Sequence, residues 1–267
     1  QCVRCVMDKS ASEIVFDEQG ICNFCQGAMK ALGEIENDRM TLEKRIERIK
    51  RDGRGKKYDC LIGLSGGVDS SFTLHEAVQL GLRPLCFSID NGWNDPKADE
   101  NIMRLVEGMK VPFFRYTIDT KKFLQLQMTF IRAGLINVEI PTDHIIMAAT
   151  HEMAEKYKIK WILSGGNVAT ESIMPASWSY PARDLVHIKS VYRWAMKKDL
   201  TGLPLCGLLK WNFYKWVRGH KMLYLLDYLL YNRENAIRIL EKNYGYKAYG
   251  EKHCENIFTW WFQNYYL

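Results

Sequence analysis

The residues of this chain best suited to chemistry are Ser65-Gly66-Gly67-Val68-Asp69-Ser70-Ser71. An apolar run, Tyr58 to Leu64, precedes them and reads as a buried strand; an amphipathic run, Phe72 to Leu80, follows and reads as a helix. A strand, a small-residue loop and a helix N-terminus together make a phosphate cradle, because backbone N–H groups and the helix dipole point at the anion. Gly66 and Gly67 let the backbone come close, and Ser65, Ser70 and Ser71 add hydroxyl donors. The loop has no lysine, so it is not the Gly-x4-Gly-Lys-Ser/Thr loop of ordinary nucleotide hydrolases. Asp69 is the candidate Mg²⁺ ligand, directly or through water, since that ion takes carboxylate and phosphate oxygens. Asp69 and Ser65 are the two residues expected to act in catalysis.

A second constellation lies at the front. Cys2, Cys5, Cys22 and Cys25 form two Cys-x2-Cys pairs separated by 16 residues, the spacing of a tetrathiolate zinc site. A closed four-ligand shell leaves no position for a substrate, which makes the expected role structural; an iron–sulfur cluster is the alternative. Asp17 to Gly20 reads as the turn between the pairs. The other cysteines read as packing, with Cys60 and Cys86 inside strands and Cys206 and Cys254 lacking close partners.

The elements that must position these residues alternate. Strand 58–64 leads to helix 70–80, strand 84–89 to helix 97–109, and strand 111–118 to helix 121–133; a helix from Asp143 to Tyr157 precedes strand 160–163. Such alternation implies an α/β fold, a parallel twisted sheet with helices on both faces. Ligands of such sheets bind at the carboxyl ends of the strands. The second strand end supplies Ser88, Asp90 and Asn91 for ribose or adenine, with Gly92 for the turn. Leu64 closes the first strand, and Gly165 and Gly166 follow the last one beside the nucleotide, unless that turn is an ordinary strand exit. Asn167, Glu171, Ser172, Arg183, Asp184 and Lys189 are candidates for the second substrate. Thr142 or Asp143 is a natural N-cap, and capping is preferred to catalysis for Asp143 and His144. No general base is evident.

The 267 residues divide into a cysteine knuckle (1–30), a linking helix (31–55), the phosphate-loop domain (56–185) and a helical C-terminal region (186–267). In the last, Leu223, Leu225, Leu226, Leu229 and Leu230 read as the apolar stripe of a helix. The hydrophobic fraction of 47% supports a core, and no run of about 18 uncharged apolar residues offers a membrane span. The start, Gln-Cys-Val-Arg-Cys, lacks the apolar segment of a signal peptide. Eight cysteines without such a signal suit a reducing, cytoplasmic setting. The absence of Met at position 1 and the aromatic end suggest that the natural chain extends further. The net charge of +6 is concentrated at Lys44 to Lys57 and Arg183 to Lys221, which suits nucleic acid, nucleotide sugars or acidic lipid, or simply solvated helix faces.

The loop resembles the pyrophosphate loop (PP-loop) of N-type ATP pyrophosphatases, enzymes that cleave ATP to AMP and pyrophosphate to activate a carbonyl oxygen. Five segments together are similar to the N-acetyl sugar amidotransferases of surface-polysaccharide and lipopolysaccharide O-antigen synthesis. They are Cys-Val-Arg-Cys-Val-Met-Asp at 2–8, Gly-Ile-Cys-Asn-Phe-Cys at 20–25, Leu-Ser-Gly-Gly-Val-Asp-Ser-Ser at 64–71, Asp-Asn-Gly-Trp-Asn at 90–94 and Ser-Gly-Gly-Asn at 164–167. The resemblance implies an adenine nucleotide alpha hydrolase-like fold, with ATP, Mg²⁺ and structural Zn²⁺ as cofactors. It also implies conversion of a sugar N-acetyl group to an acetamidino group, on an N-acetylated, nucleotide-linked sugar. Ammonia would come from a separate glutaminase, often paired with a cyclase-like barrel subunit. The rival reading is a PP-loop enzyme that modifies tRNA, such as a thiolase; it needs paired cysteines near the ATP site, and only Cys86 lies between the loop and Cys206. Neither nucleic acid nor membrane insertion is therefore expected.

Overall fold

The computed structural model describes residues 1–5, 7–37, 40–168, 175, 180–229, 231–249 and 254–266. Five parallel strands run in the order β3-β2-β1-β4-β5: β1 Cys60–Gly63, β2 Pro84–Asp90, β3 Phe113–Thr117, β4 Trp161–Ser164 and β5 Lys221–Tyr224. Cys60 pairs with Pro84 on one side and Trp161 on the other, so the chain reverses direction across the sheet between β1 and β4. A crevice opens at such a switch point, outside the carboxyl ends of these two strands.

Both faces of the sheet are covered, which is why β1 is buried through Cys60, Leu61 and Ile62 rather than alternating with polar residues. Cys60, Ile62, Cys86 and Leu163 pack on one side with α2 (Met40–Asp52), α3 (Val68–Gln79) and α4 (Pro96–Gly108). Leu61, Leu85, Phe87 and Ile162 pack on the other with Met153 and Ala154 of α6 (Ile140–Lys156). A further cluster joins α5 (Thr120–Arg132) to α7 (Leu185–Met196) and to Phe258 and Phe262 near the C-terminus. Further on come α8 (Leu208–Asn212), α9 (Arg233–Tyr244) and α10 (Ile257–Trp261). No helix among the described residues is long and apolar enough to cross a membrane.

Three expectations need correction. The stripe Leu223 to Leu229 is not helical: it is β5 followed by a 3₁₀ turn, Leu225–Tyr228, with Leu223, Leu225 and Leu226 buried against the sheet. Leu230 lies outside the described residues. The run is too short to distinguish a strand from a helix by periodicity. The linking segment belongs to two helices, α1 (Asn23–Asn37) and α2, and α1 begins inside the second cysteine pair. Helix α6 starts at Ile140 with Glu139 at its N-cap position, so neither Thr142 nor Asp143 caps it; Pro141, which lacks an N–H, suits the first turn.

Where α6 meets the approach to β5, His151 Nδ1 and His220 Nδ1 lie 2.9 Å apart, both rings buried. Burial, then the neighbouring His220, brings His151 down to about 4; burial, then Arg218, does the same for His220. The unfolded chain, near 6.5, therefore binds these protons more tightly than the folded one. The pair's contribution is complete above pH 6.5 and is lost as pH falls from 6.5 towards 4, at up to about 1.4 kcal/mol per pH unit for each ring. Urea midpoints should drop more steeply from pH 7 to pH 5 in the native chain than in His220→Asn; parallel curves would refute this.

Candidate functional site

Strand β1 ends at Gly63, and Leu64 still donates its N–H to Phe87 O at 2.7 Å, which fixes where the loop departs. Gly67 then takes the N-cap position of α3 in an extended conformation, and no side-chain oxygen caps the helix. The first-turn N–H groups of a helix have no intrahelical acceptor, an arrangement that suits an anion. The hydroxyls of Ser65 and Ser70 stand 3.1 Å apart, and Ser65 Oγ also accepts from Gly67 N at 3.2 Å. Ser71 turns away: it is fully buried, and its Oγ donates to Gly67 O at 2.6 Å, so it braces the loop. Gly66 has φ +86°, and a Cβ there would sit 2.6 Å from Ala98 O and 2.7 Å from Ala98 Cα on α4. Its carbonyl accepts the Tyr246 hydroxyl at 3.1 Å. Asp69, in the first turn of α3, accepts a hydrogen bond from the Tyr231 hydroxyl.

The turn after β4 packs directly on this loop. A Cβ at Gly165 would lie 2.7 Å from Ser70 N and 2.8 Å from Asp69 C, so only glycine permits the approach. Gly165 and Gly166 both line a cleft of about 1430 Å³, shared with Leu64, Ser65, Gly67, Asp69 and Ser70. Asn167 is buried, its Nδ2 donating to Gly165 O at 3.3 Å, and it supports the turn from behind.

The loop after β2 divides its labour. Ser88 and Asn91 line the cleft; Asp90 does not, and its Oδ1 instead accepts from Gly92 N at 3.2 Å to close the turn. Ser88 is 3% exposed and its Oγ has no hydrogen-bond partner among the described residues, an unfilled polar group in the wall of the cleft. Trp93 does not line the cleft: its Nε1 donates to Gln127 Oε1 at 2.6 Å, and Gln127 Nε2 donates to Thr142 Oγ1 at 3.2 Å.

That chain of bonds leads to a wall that sequence reasoning missed. Glu139, Thr142, Asp143 and Thr150 of α6 and its N-cap line the cleft, as do Glu255, Asn256 and Thr259 from the end of the chain. Glu139 is held at both oxygens, Oε1 by Thr142 at 3.3 Å and Oε2 by Thr259 at 2.6 Å. Burial raises its carboxyl, against the pull of those two hydroxyls. Asp143 opens onto the lumen yet is ringed by the cleft walls; burial, reinforced by the charge of Glu139, pushes it up to about 7. The available signal was the four-residue spacing of the two carboxylates, which places both on one helix face. The C-terminal wall had none, because it arrives by long-range pairing: Asn94 bridges Asn256, and Ile257 N donates to Trp93 O at 2.9 Å.

The remaining candidates are elsewhere. Arg183 and Lys189 are exposed and do not line the cleft, and Asp184 caps α7 by accepting from His187 N at 3.0 Å. Glu171 and Ser172 lie outside the described residues. His144 is structural: its Nε2 accepts from Cys206 N at 3.2 Å, and its Nδ1 is 2.7 Å from Ala182 O.

At the N-terminus the sulfurs of Cys2, Cys5, Cys22 and Cys25 all lie within 4.8 Å of one another, and three of the four residues are buried. Asp17 and Gly20 form the expected turn, with Gly20 at φ +77°. Backbone N–H groups of Arg4 and Cys22 point at Cys2 Sγ at 3.4 and 3.3 Å, and Cys25 N points at Cys22 Sγ at 3.4 Å. At Cys2 burial raises the thiol, but these donors outweigh it and bring it down to about 6, towards the thiolate that ligates a metal. Ser10 of the same knuckle reaches the rim of the cleft.

No family model matches the chain. It is 27% identical over 113 residues to the uncharacterized protein MJ1599 of Methanocaldococcus jannaschii, a match covering 42% of this chain and 40% of that protein. The chain thus spans well under half the length of this curated relative. Among solved structures it is similar to an NMN synthetase from Francisella tularensis, with 14% identity and a TM-score of 0.36 over 75% of this chain and 98% of that one. It is similar also to an NAD+ synthetase from Burkholderia pseudomallei, with 13% identity and a TM-score of 0.35 over 82% and 91%. A third is the predicted subunit of a tRNA methyltransferase from Methanocaldococcus jannaschii, with 13% identity and a TM-score of 0.38 over 68% and 75%. None of these values assigns the chain to a family.

Proposed function

We propose that the cleft binds ATP with its phosphates on the Ser65–Ser70 loop, and that the protein is an AMP- and pyrophosphate-forming amidotransferase acting on an N-acetylated, nucleotide-linked sugar. The observation that carries this reading is an uncapped helix N-terminus, ringed by serine hydroxyls, opening into one large cleft. At about 1430 Å³ that cleft exceeds the roughly 300–1,000 Å³ of a single-ligand pocket. It has room for a nucleotide and a second substrate together.

In this reading the acetamido oxygen attacks the α-phosphorus, the amide proton is released, and pyrophosphate departs into the loop. The product is an O-adenylyl imidate. Ammonia then forms a bond to the imidate carbon, and AMP leaves with the former amide oxygen. The chain's own contribution is positioning and stabilisation of charge. Gly67, Ser65 and Ser70 hold the phosphates, and Asp69 offers a hard oxygen for Mg²⁺, which would neutralise phosphate charge when bound. The tetrathiolate cluster suits Zn²⁺ in a structural role. Partners follow from the chemistry: a nucleotide sugar, and an ammonia source such as a separate glutaminase subunit with or without a barrel-type companion.

The thiolase alternative finds less support, because no cysteine lines the cleft among the described residues. Purified protein with ATP, Mg²⁺ and ammonium should release AMP and pyrophosphate only when an acetamido sugar nucleotide is added. Release of ADP and phosphate would sink the adenylation reading, and release dependent on tRNA would favour the alternative.

A further inference from the structure

We infer that Asp143 is the base that takes a proton from ammonium in the cleft, beside the fixed carboxylate of Glu139; this rests on the amidotransferase reading above. Ammonia at neutral pH is overwhelmingly ammonium, which has no lone pair to give. The nucleophile must lose a proton where it is used, or arrive already neutral.

The geometry separates the two carboxylates by role. Glu139 spends both oxygens on Thr142 and Thr259, so it is fixed and has little capacity left for a ligand. Asp143, one helical turn on, lines the same cleft as Ser65, Asp69 and Ser70, and no hydrogen bond reaches its carboxylate among the described residues. The unpartnered, buried Ser88 Oγ, at the end of β2 in the lining of the same cleft, is an independent sign that a polar ligand completes it. Although its side chain is open to the lumen, desolvation within the cleft and then the charge of Glu139 raise Asp143 to about 7, a stronger base than an ordinary aspartate and matched to neutral pH. Glu139, carrying charge next to it, favours a bound cation as well.

The step balances. Asp143 takes one proton from ammonium, and the freed lone pair forms the bond to the imidate carbon. The C–O bond breaks and AMP leaves as the anion. The nitrogen's remaining three protons stay on the product, an amidinium. Asp143 returns its proton to water through the open lumen.

Asp143→Asn is close to isosteric at a position open to the cleft, so it should fold. With ammonium at pH 7 it should lose about 100-fold in amidine formation. Sugar-dependent exchange of pyrophosphate into ATP, which precedes the nitrogen, should persist. Hydroxylamine, mostly neutral at that pH, needs no base and should be turned over by the variant near the native rate. Raising pH should rescue the variant with ammonium, and Glu139→Gln should shift the native pH profile without abolishing exchange. Equal losses with ammonium and hydroxylamine, or an unchanged ammonium rate, would overturn the assignment. Absence of sugar-dependent exchange in the native protein would instead reject the amidotransferase reading itself.

Discussion

Gly66→Ala is expected to remove ATP-dependent pyrophosphate release by about 100-fold while Gly67→Ala, one residue along, leaves the fold intact. At Gly66 the backbone is at φ +86°, a region that costs an L-residue about 1–2 kcal/mol. The added methyl would also overlap the backbone of Ala98 at 2.6 and 2.7 Å, and a helix backbone cannot swing aside as a side chain can. The loop must therefore shift, and with it Ser65 and the first N–H groups of α3. At Gly67 the φ is −76° and the nearest obstacle is Glu255 Oε1 at 2.8 Å, the end of a flexible side chain. Nucleotide-dependent melting shifts, read beside pyrophosphate release, check both variants. A Gly66→Ala protein that binds and cleaves ATP normally would show that the loop is only a turn.

The second large effect is expected at the knuckle. Cys22→Ser, or treatment with a strong chelator, should release one tightly held zinc ion per chain and unfold residues 1–25. The apolar support there is small: Cys2, Cys22 and Cys25 with Ile14, Phe16, Ile21 and Phe24 around them. Zinc-finger peptides gain roughly 10–16 kcal/mol from the metal, far more than so small a cluster can offer. Because Ser10 reaches the cleft rim, loss of the knuckle should also raise the KM for the acceptor more than that for ATP. Metal analysis with melting curves of native and Cys22→Ser protein decides it. A native protein free of metal, or a variant with unchanged melting, would leave the four thiols without a structural metal.

Much of the fold was legible because its signals are local. The alternation of apolar strands and amphipathic helices from Tyr58 to Leu163 depends on residues within a few positions of one another, and β1, β2, β3 and β4 fall within it. The strand β5 was not legible. Lys221–Tyr224 has one strongly buried position, Leu223, and its identity comes from pairing with Trp161–Ser164, sixty residues away in the chain. The same limit applies to the tyrosines: that Tyr231 meets Asp69 and Tyr246 meets Gly66 follows only from how α9 packs on α3.

For the site, the sequence alone marked out the Ser65–Ser70 loop and the glycines at 165 and 166, which share one lining, and separately the cysteine spacing of the N-terminal cluster. Each needs a particular backbone shape or ligand atom at a fixed offset, and such requirements leave a mark on neighbouring residue types. The opposite wall was decided by tertiary structure. Asp143 reads as a surface residue at a helix start, and only the tertiary structure places it in one cleft with Glu139, Thr259 and the returning C-terminal segment. Its raised carboxyl comes from desolvation by the cleft walls and then from the charge of Glu139, surroundings that exist only once distant parts of the chain have met.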